Sequence, residues 1–285
     1  MMIDSRLNTF LVLYETMNYR KAAEKLHITQ PAVTQHIKHL EKEYSCRLFE
    51  YNGRSLKRTK AAEIMKQYTE KAVYQEKKMR QALKSDSGFH LKIGATKTIG
   101  EYMLSDCVNR FLEDSRNTLS IEVGNTAEML ALLDDGKLDF TIIEGFFPKN
   151  DYGHKLFRKE KFAGICSREH PFAGRTVDLG MIFSEHLICR ELHSGTRAVL
   201  EQVLNEENHR IEDFAHVTNI GNFGLLTSLV ASGTGISFAY EAVYRGHPEL
   251  ASFTVKGWRI VHELNYVFLK DTDAASLVEV FDSCR

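Results

Sequence analysis

The chain has 285 residues, with 37 Lys or Arg against 38 Asp or Glu, too many for one small module and enough for a small domain plus a larger body of ordinary core size. The near-zero net charge hides an asymmetry: Met1 to Lys60 carries 11 basic against 6 acidic residues, a balance of +5, and the remaining 225 carry 26 against 32, a balance of −6. A basic head on an acidic body is expected where only one domain approaches phosphates. No apolar run nears membrane length and no charged and then apolar leader opens the chain, which argues against a membrane partner and predicts a cytoplasmic protein.

From Tyr19 to Tyr44 two short helical patterns meet at a His27-Ile28-Thr29 corner. Ala22 and Ala23 are small enough to let a second helix cross closely, and Leu26 closes the first apolar face. Thr29 is predicted as the N-cap of the second helix, with Pro31 in the first turn, where no amide partner is lost. Val33, Ile37, Leu40 and Tyr44 recur at helical spacing and should face the core, turning Gln30, Thr34, Gln35 and Lys38 outward. Glutamine can pair with adenine, threonine can touch a base edge or a thymine methyl, and lysine suits a phosphate. Alone, such a pair is more often an ordinary helical hairpin with a solvated polar face; the charge asymmetry shifts the reading to a reader of DNA.

Cys46 to Lys60 holds an Asn52-Gly53 turn followed by Arg54, Lys57, Arg58 and Lys60. That is a β-hairpin signal with basic residues at and after its tip, a wing placed for the sugar-phosphate backbone. Lys60 to Lys84 contains no proline or glycine and carries Ile64, Met65, Tyr68, Ala72, Met79 and Leu83 as a loose apolar stripe. A polar helix of this length cannot bury itself in one small domain and reads as a dimerising linker, ended by a hinge at Ser85-Asp86-Ser87-Gly88.

Past the hinge, strand patterns at Leu91 to Ala95, Leu119 to Val123, Phe140 to Glu144 and Phe162 to Cys166 alternate with helical stretches, which implies a largely parallel α/β sheet. Ligands of such sheets bind beyond the carboxyl ends of strands, near helix N-termini. Three junctions qualify: Thr96-Lys97-Thr98, Asn125-Thr126, and Ser194-Gly195-Thr196-Arg197, which follows Leu187 to Arg190. The third is the best anion site, offering backbone amides, two hydroxyls and the charges of Arg190 and Arg197 if both point inward. Plain helix capping explains any one junction; three in one sheet favour binding.

The whole chain resembles the LysR-type transcriptional regulators. The likeness runs through Leu7-Asn8-Thr9-Phe10, Ala22-Ala23-Glu24-Lys25-Leu26, Thr29 to Ile37, Leu40-Glu41 and Leu48-Phe49-Glu50. In the second half it is carried by Gly124-Asn125-Thr126, Gly136-Lys137-Leu138-Asp139, Glu169-His170-Pro171-Phe172 and Ala231 to Ile236. The chain departs from the pattern at Tyr51, Arg58 and Ala62, where arginine, leucine and glycine are usual, so a phosphate contact at Tyr51 is not expected and the wing should leave for the next helix in an altered way. The resemblance implies DNA contacts from Gln30, Pro31, Thr34, Gln35 and Arg54. It also implies an effector region of two subdomains in the manner of periplasmic binding proteins, with the effector in the cleft between them. Residues 1–59 would form the winged helix-turn-helix domain, 60–87 the linker helix and hinge, and 88–285 the effector domain, with subdomain I at 88–161 and 253–285 and subdomain II at 162–252. Gly94 to Tyr102 together with Arg190-Glu191 and Ser194 to Arg197 is most similar to members that respond to sulfur or nitrogen metabolites.

The expected function is therefore a sequence-specific regulator whose DNA contacts include Thr29, Gln30, Pro31, Thr34, Gln35, Lys38 and Arg54. A small anionic metabolite would be held by Thr96, Thr98, Asn125, Thr126, Arg190, Ser194, Gly195, Thr196 and Arg197. Expected partners are a double-stranded DNA operator, that metabolite and further copies of the chain in a homodimer or homotetramer, with RNA polymerase a further candidate. No cofactor and no metal are expected: His36 and His39 lack a completing carboxylate or thiolate and read as surface or phosphate-facing groups, and the five scattered cysteines read as reduced thiols. There is no phosphate-binding loop and no nucleophile turn, so an enzyme is not expected. The rival readings are a solute-binding protein or an enzyme built on the same cleft.

Overall fold

The computed structural model describes residues 4–53, 55–83, 88–270 and 272–285. Arg54 and the Ser85-Asp86-Ser87 hinge lie outside the described residues. Two compact units emerge, Met1–Ser87 with Asp134–Lys137, and Gly88–Leu133 with Leu138–Arg285.

In the first unit, helices α1 (Ser5–Thr16), α2 (Tyr19–Leu26) and α3 (Gln30–Glu43) surround Phe10, Leu13, Ala22, Val33, Ile37 and Leu40, all essentially inaccessible. Each helix starts on a side-chain cap: Asp4 accepts from Arg6 N, Asn18 from Lys21 N and Thr29 from Ala32 N at 3.3 Å. The corner closes at His27, whose φ of 55° is left-handed, while Ile28 N donates back to Ala23 O at 3.1 Å. A two-stranded wing follows, β1 (Phe49–Asn52) paired with β2 (Ser55–Arg58), and then α4 (Lys60–Ala82), 23 residues long. Glu41 ties the wing to α3, its Oε1 accepting from Leu48 N at 2.8 Å and Phe49 N at 3.4 Å.

In the second unit the elements run in chain order β3 (His90–Thr96), α5 (Lys97–Tyr102), α6 (Ser105–Phe111), β4 (Thr118–Gly124), α7 (Thr126–Asp134), β5 (Phe140–Ile143) and β6 (Tyr152–Ser167). They continue with β7 (Thr176–Val177), α8 (Leu179–Ile182), β8 (His186–Arg190), α9 (Gly195–Glu206), β9 (His216–Ile220) and α10 (Phe223–Ala231). Last come β10 (Ser237–Tyr240), α11 (Glu241–Arg245), β11 (Leu250–Val255), β12 (Ile260–Leu269) and α12 (Ala274–Asp282). One sheet runs β4-β3-β5-β12-β6-β11-β7 with β10 also on β6, and β8 pairs with β9 separately.

The sheet is mixed rather than largely parallel. The β3–β4, β3–β5 and β8–β9 pairs are parallel, but β6 and β12 form a long antiparallel ribbon that also pairs antiparallel with β5, β10 and β11. This ribbon joins two lobes. Its early half, with β3, β4 and β5, packs on Phe111, Phe140, Phe157, Tyr266 and Phe281; its later half, with β10 and β11, packs on Phe162, Phe238, Phe253 and Trp258. The strand expected to begin at Phe162 begins ten residues earlier, because Tyr152 to Phe162 pairs with Ile260 to Leu269 and buries Tyr152, Phe157, Glu160 and Phe162 while Lys159 and Lys161 stay exposed.

Candidate functional site

The outer face of α3 is built by burying the inner one. Val33, Ile37 and Leu40 are sealed in the core, and Gln30, Pro31, Gln35 and Lys38 stand exposed at the leading end and along the opposite side. Thr29 is exposed and occupied as the cap; Thr34 is half-buried, its hydroxyl donating to Gln30 O at 3.1 Å. Gln30, Gln35 and Lys38 therefore keep free heads for a duplex groove, while Thr34 offers its methyl.

Several other readings of this unit change. Tyr44 does not face the core: α3 ends at Glu43, Ser45 turns the backbone left-handed with φ 51°, and the ring is left 54% exposed. There it lines an apolar groove of about 520 Å³ with Leu7, Ile64, Met65 and Tyr68. His36 is not phosphate-facing, since its Nδ1 meets Thr9 Oγ1 at 2.9 Å, whereas His39 is exposed beside Glu43. Arg58 turns inward, its guanidinium 4.3 Å over the Tyr14 ring and donating to Tyr14 O at 2.8 Å, so its flat head covers the end of α1 where a leucine would pack. Among the described basic wing residues Lys57, Arg58 and Lys60 are all exposed, but the Arg58 head is committed to Tyr14.

In the second unit the first and third junctions meet between the lobes. Thr98 Oγ1 lies 3.2 Å from Thr196 Oγ1, Thr196 donates to Glu144 Oε1 at 3.4 Å, and Thr96 Oγ1 accepts from Glu144 N at 3.2 Å. Lys97, the first residue of α5, donates to Glu191 at 2.8 Å and to Gly221 O at 3.0 Å across the cleft. Gly195 must be glycine here: a Cβ would sit 2.8 Å from Glu144 Cγ and 3.1 Å from the Gly145 Cα.

The second junction behaves differently. Asn125 caps α7, its Oδ1 accepting from Glu128 N and its own amide donating to Glu128 Oε2, both at 2.9 Å. Capping accounts for Asn125, whereas Thr96 and Ser194 make no capping bond although each precedes a helix. Thr126 points toward Gly145 at the meeting of the lobes.

The two arginines have separate tasks. Arg190 is 2% exposed, lies 3.7 Å over the Phe223 ring and donates twice to Glu191, at 2.9 and 3.1 Å. Arg197 donates to Glu201, to Arg190 O and to Asn219 Oδ1, at 2.7, 3.2 and 2.6 Å. It is a strut holding the ends of β8 and β9, and its charge is already matched. The effector contacts expected from the sequence leave out Lys97, Glu191 and Glu144, although the first two stand in the Thr96-Lys97-Thr98 and Arg190-Glu191 segments. Burial would raise the Glu191 pKa, but the bonds from Arg190 and Lys97 prevail and hold it below the ordinary carboxylate value. Glu144 goes the other way: burial pushes its carboxyl up to about 7, against the opposing effects of Thr98, Arg190 and Thr196.

Beside the cleft a cavity of about 720 Å³ reaches from Gly145 along Phe146, Lys149 and Lys159 to His262 and Glu263. Its two lysines share Glu263, at 3.9 and 3.3 Å, so it carries little net positive charge. His262 Nδ1 meets Tyr240 Oη at 2.8 Å, and burial lowers its pKa. Among the described residues no group of three or more His, Cys, Asp or Glu is placed to hold a metal, and no helix is long and apolar enough to cross a membrane.

Comparison with known proteins gives one consistent answer. The family model described as "Bacterial regulatory helix-turn-helix protein, lysR family" matches residues 5–63, and "LysR substrate binding domain" matches residues 85–284. The HTH-type transcriptional regulator CysL of Bacillus subtilis is 28% identical over 270 residues, covering 92% of this chain and 89% of that protein. The HTH-type transcriptional activator CmpR of Synechocystis is 27% identical over 304 residues, covering 97% and 98%. Full-length OxyR of Pseudomonas aeruginosa shares the fold with a TM-score of 0.72 at 21% identity, covering 100% of this chain and 94% of that one. The regulatory domain of CcmR from Synechocystis, solved in complex with 2-PG, aligns with a TM-score of 0.61 at 18% identity over 68% of this chain and 96% of its own.

Proposed function

The chain belongs to the LysR family of bacterial helix-turn-helix regulators, and from that premise we propose that it is a sequence-specific transcriptional regulator switched by a small anionic metabolite bound between the two lobes. The observation that carries the DNA half is the sealed inner face of α3, which leaves Gln30, Gln35 and Lys38 as free hydrogen-bonding heads at a basic end of the chain. The effector half rests on the cleft, where the first turn of α9 and the charges of Arg190 and Lys97 meet between the lobes. The CcmR domain held with 2-PG supports a small-molecule ligand. An effector that prefers one arrangement of the lobes about the β6/β12 ribbon would bias the assembly on DNA by its differential affinity.

The working unit proposed is a homodimer or a dimer of dimers. The α4 helix spans roughly 35 Å and exposes Ile64, Tyr68, Val73 and Met79, which with Tyr44 leave an apolar surface suited to a second copy. Genome-wide mapping of bound DNA with and without candidate metabolites tests the whole reading. Discrete sites whose occupancy or footprint changes with one metabolite support it, and uniform coverage of the genome contradicts it.

A further inference from the structure

Three buried polar atoms at the meeting of the lobes have no hydrogen-bond partner among the described residues: Glu144 Oε2, Arg190 Nη1 and Thr126 Oγ1. Buried polar atoms are nearly always paired, and charged ones are costly to leave bare. The two charged groups are each 2% exposed and come from opposite lobes, Glu144 at the end of β5 and Arg190 at the end of β8. Arg190 is near enough for its charge to act on Glu144. The remaining nitrogens of Arg190 are bound to Glu191, so Nη1 is the donor left to it. Between them stands the first turn of α9, closed against Glu144 by Gly195.

These atoms differ in kind, and that difference constrains the ligand. A bare oxyanion could take hydrogen bonds from Arg190 and from the amides of α9, but it offers no hydrogen to the ionised Glu144 carboxylate and is repelled by it. A molecule with an acid group and a neighbouring donor satisfies both. We propose that the effector is a small acid bearing a hydroxyl or an ammonium beside its acid group, with Glu144 selecting the donor while Arg190 and the first turn of α9 take the acid. This deepens the cleft reading above and rests on it. Glu144 is thus the residue that separates hydroxy or amino acids from simple anions. Thr126 supplies a further hydroxyl for whichever oxygen faces it.

The test uses the full-length chain and four probes: propionate, lactate, alanine and inorganic sulfate, each titrated calorimetrically and checked by thermal shift. Lactate or alanine should bind at least about tenfold tighter than propionate and sulfate, the size expected of one hydrogen bond to a charged group. Which of the two prevails identifies hydroxyl or ammonium. Glu144→Leu, which removes the acceptor, should bring the four within about threefold of each other. Glu144→Gln keeps the shape and the fold and should abolish any preference for alanine. Propionate or sulfate binding as tightly as lactate and alanine, or a preference that survives in Glu144→Leu, overturns this inference and leaves the cleft reading standing. No binding of any probe to the parent or either variant overturns both.

Discussion

Glu144→Gln should stabilise the chain above neutral pH and weaken it slightly in acid. The Glu144 carboxyl has an ordinary value of 4.5 and titrates at about 7 when folded, because burial penalises its charge. Between those values the folded chain holds a proton that the unfolded chain has released. The stability tied to that proton is complete below pH 4.5 and is lost as pH rises through the folded value. The slope is about 1.4 kcal/mol per pH unit, which accumulates to about 3 kcal/mol by pH 8. Glutamine suffers no such loss, although its amide nitrogen falls where Oε2 has no partner, a cost of about 1 kcal/mol. The variant should therefore be more stable than the parent by about 2 kcal/mol at pH 8 and less stable by about 1 at pH 4.5. Urea unfolding followed by circular dichroism across that range reads both ends. A difference independent of pH, or a parent more stable at pH 8, refutes the buried-carboxyl argument.

Other parts of the fold give sharper local tests. Glu41→Ala should cost about 1–3 kcal/mol in chemical denaturation of the DNA-binding unit, since the amides of Leu48 and Phe49 lose their acceptor; an unchanged midpoint would remove Glu41 as the anchor of the wing. His27→Gly should raise stability by about 0.5–1 kcal/mol, the relief of a left-handed residue less the extra freedom of the unfolded chain; a loss of stability would show that the His27 ring matters more than its backbone. Tyr68→Glu should shift the assembly toward monomer in sedimentation velocity, because the ring stands 72% exposed beside the α4 groove; an unchanged oligomer would place the interface elsewhere.

The parts of the fold legible in the sequence are those where local chemistry and tertiary packing agree. Thr29, Pro31 and the Val33-Ile37-Leu40 spacing announce α3 because the cap, the first-turn proline and the buried stripe each act within one or two turns. The Tyr44 ring illustrates the limit: helical spacing continues through it, but the backbone leaves the helix at Glu43, and periodicity does not see that. The early half of β6 was hidden for a related reason. Its charged residues give no apolar run or clean alternation, and only pairing with β12 makes the segment a strand.

At the site, residue type and position were readable, whereas pairing was not. Strand-to-helix junctions pointed to Ser194, Thr196, Thr98 and Arg190 as candidates, but the sequence could not tell that Arg197 is held by Glu201 and Asn219 or that Asn125 is used as a cap. Glu144 left one faint signal, a carboxylate directly after the four buried residues Phe140 to Ile143 and before a glycine. Lys97 and Glu191 stood within candidate segments, but their pairing left no signal, because an ion pair across 94 positions is a product of the folded topology alone.

The central claim, that the leading end of α3 reads bases, is tested most directly by fluorescence anisotropy on a selected operator and on a scrambled duplex of equal length across a salt series. Parent protein should prefer the operator and weaken steeply on both with salt. Gln30→Ala should narrow the preference, and Lys38→Ala should weaken both duplexes about equally and lower the salt slope by about 1. Equal affinity for the two duplexes with the parent, or an operator preference untouched by Gln30→Ala, would contradict it.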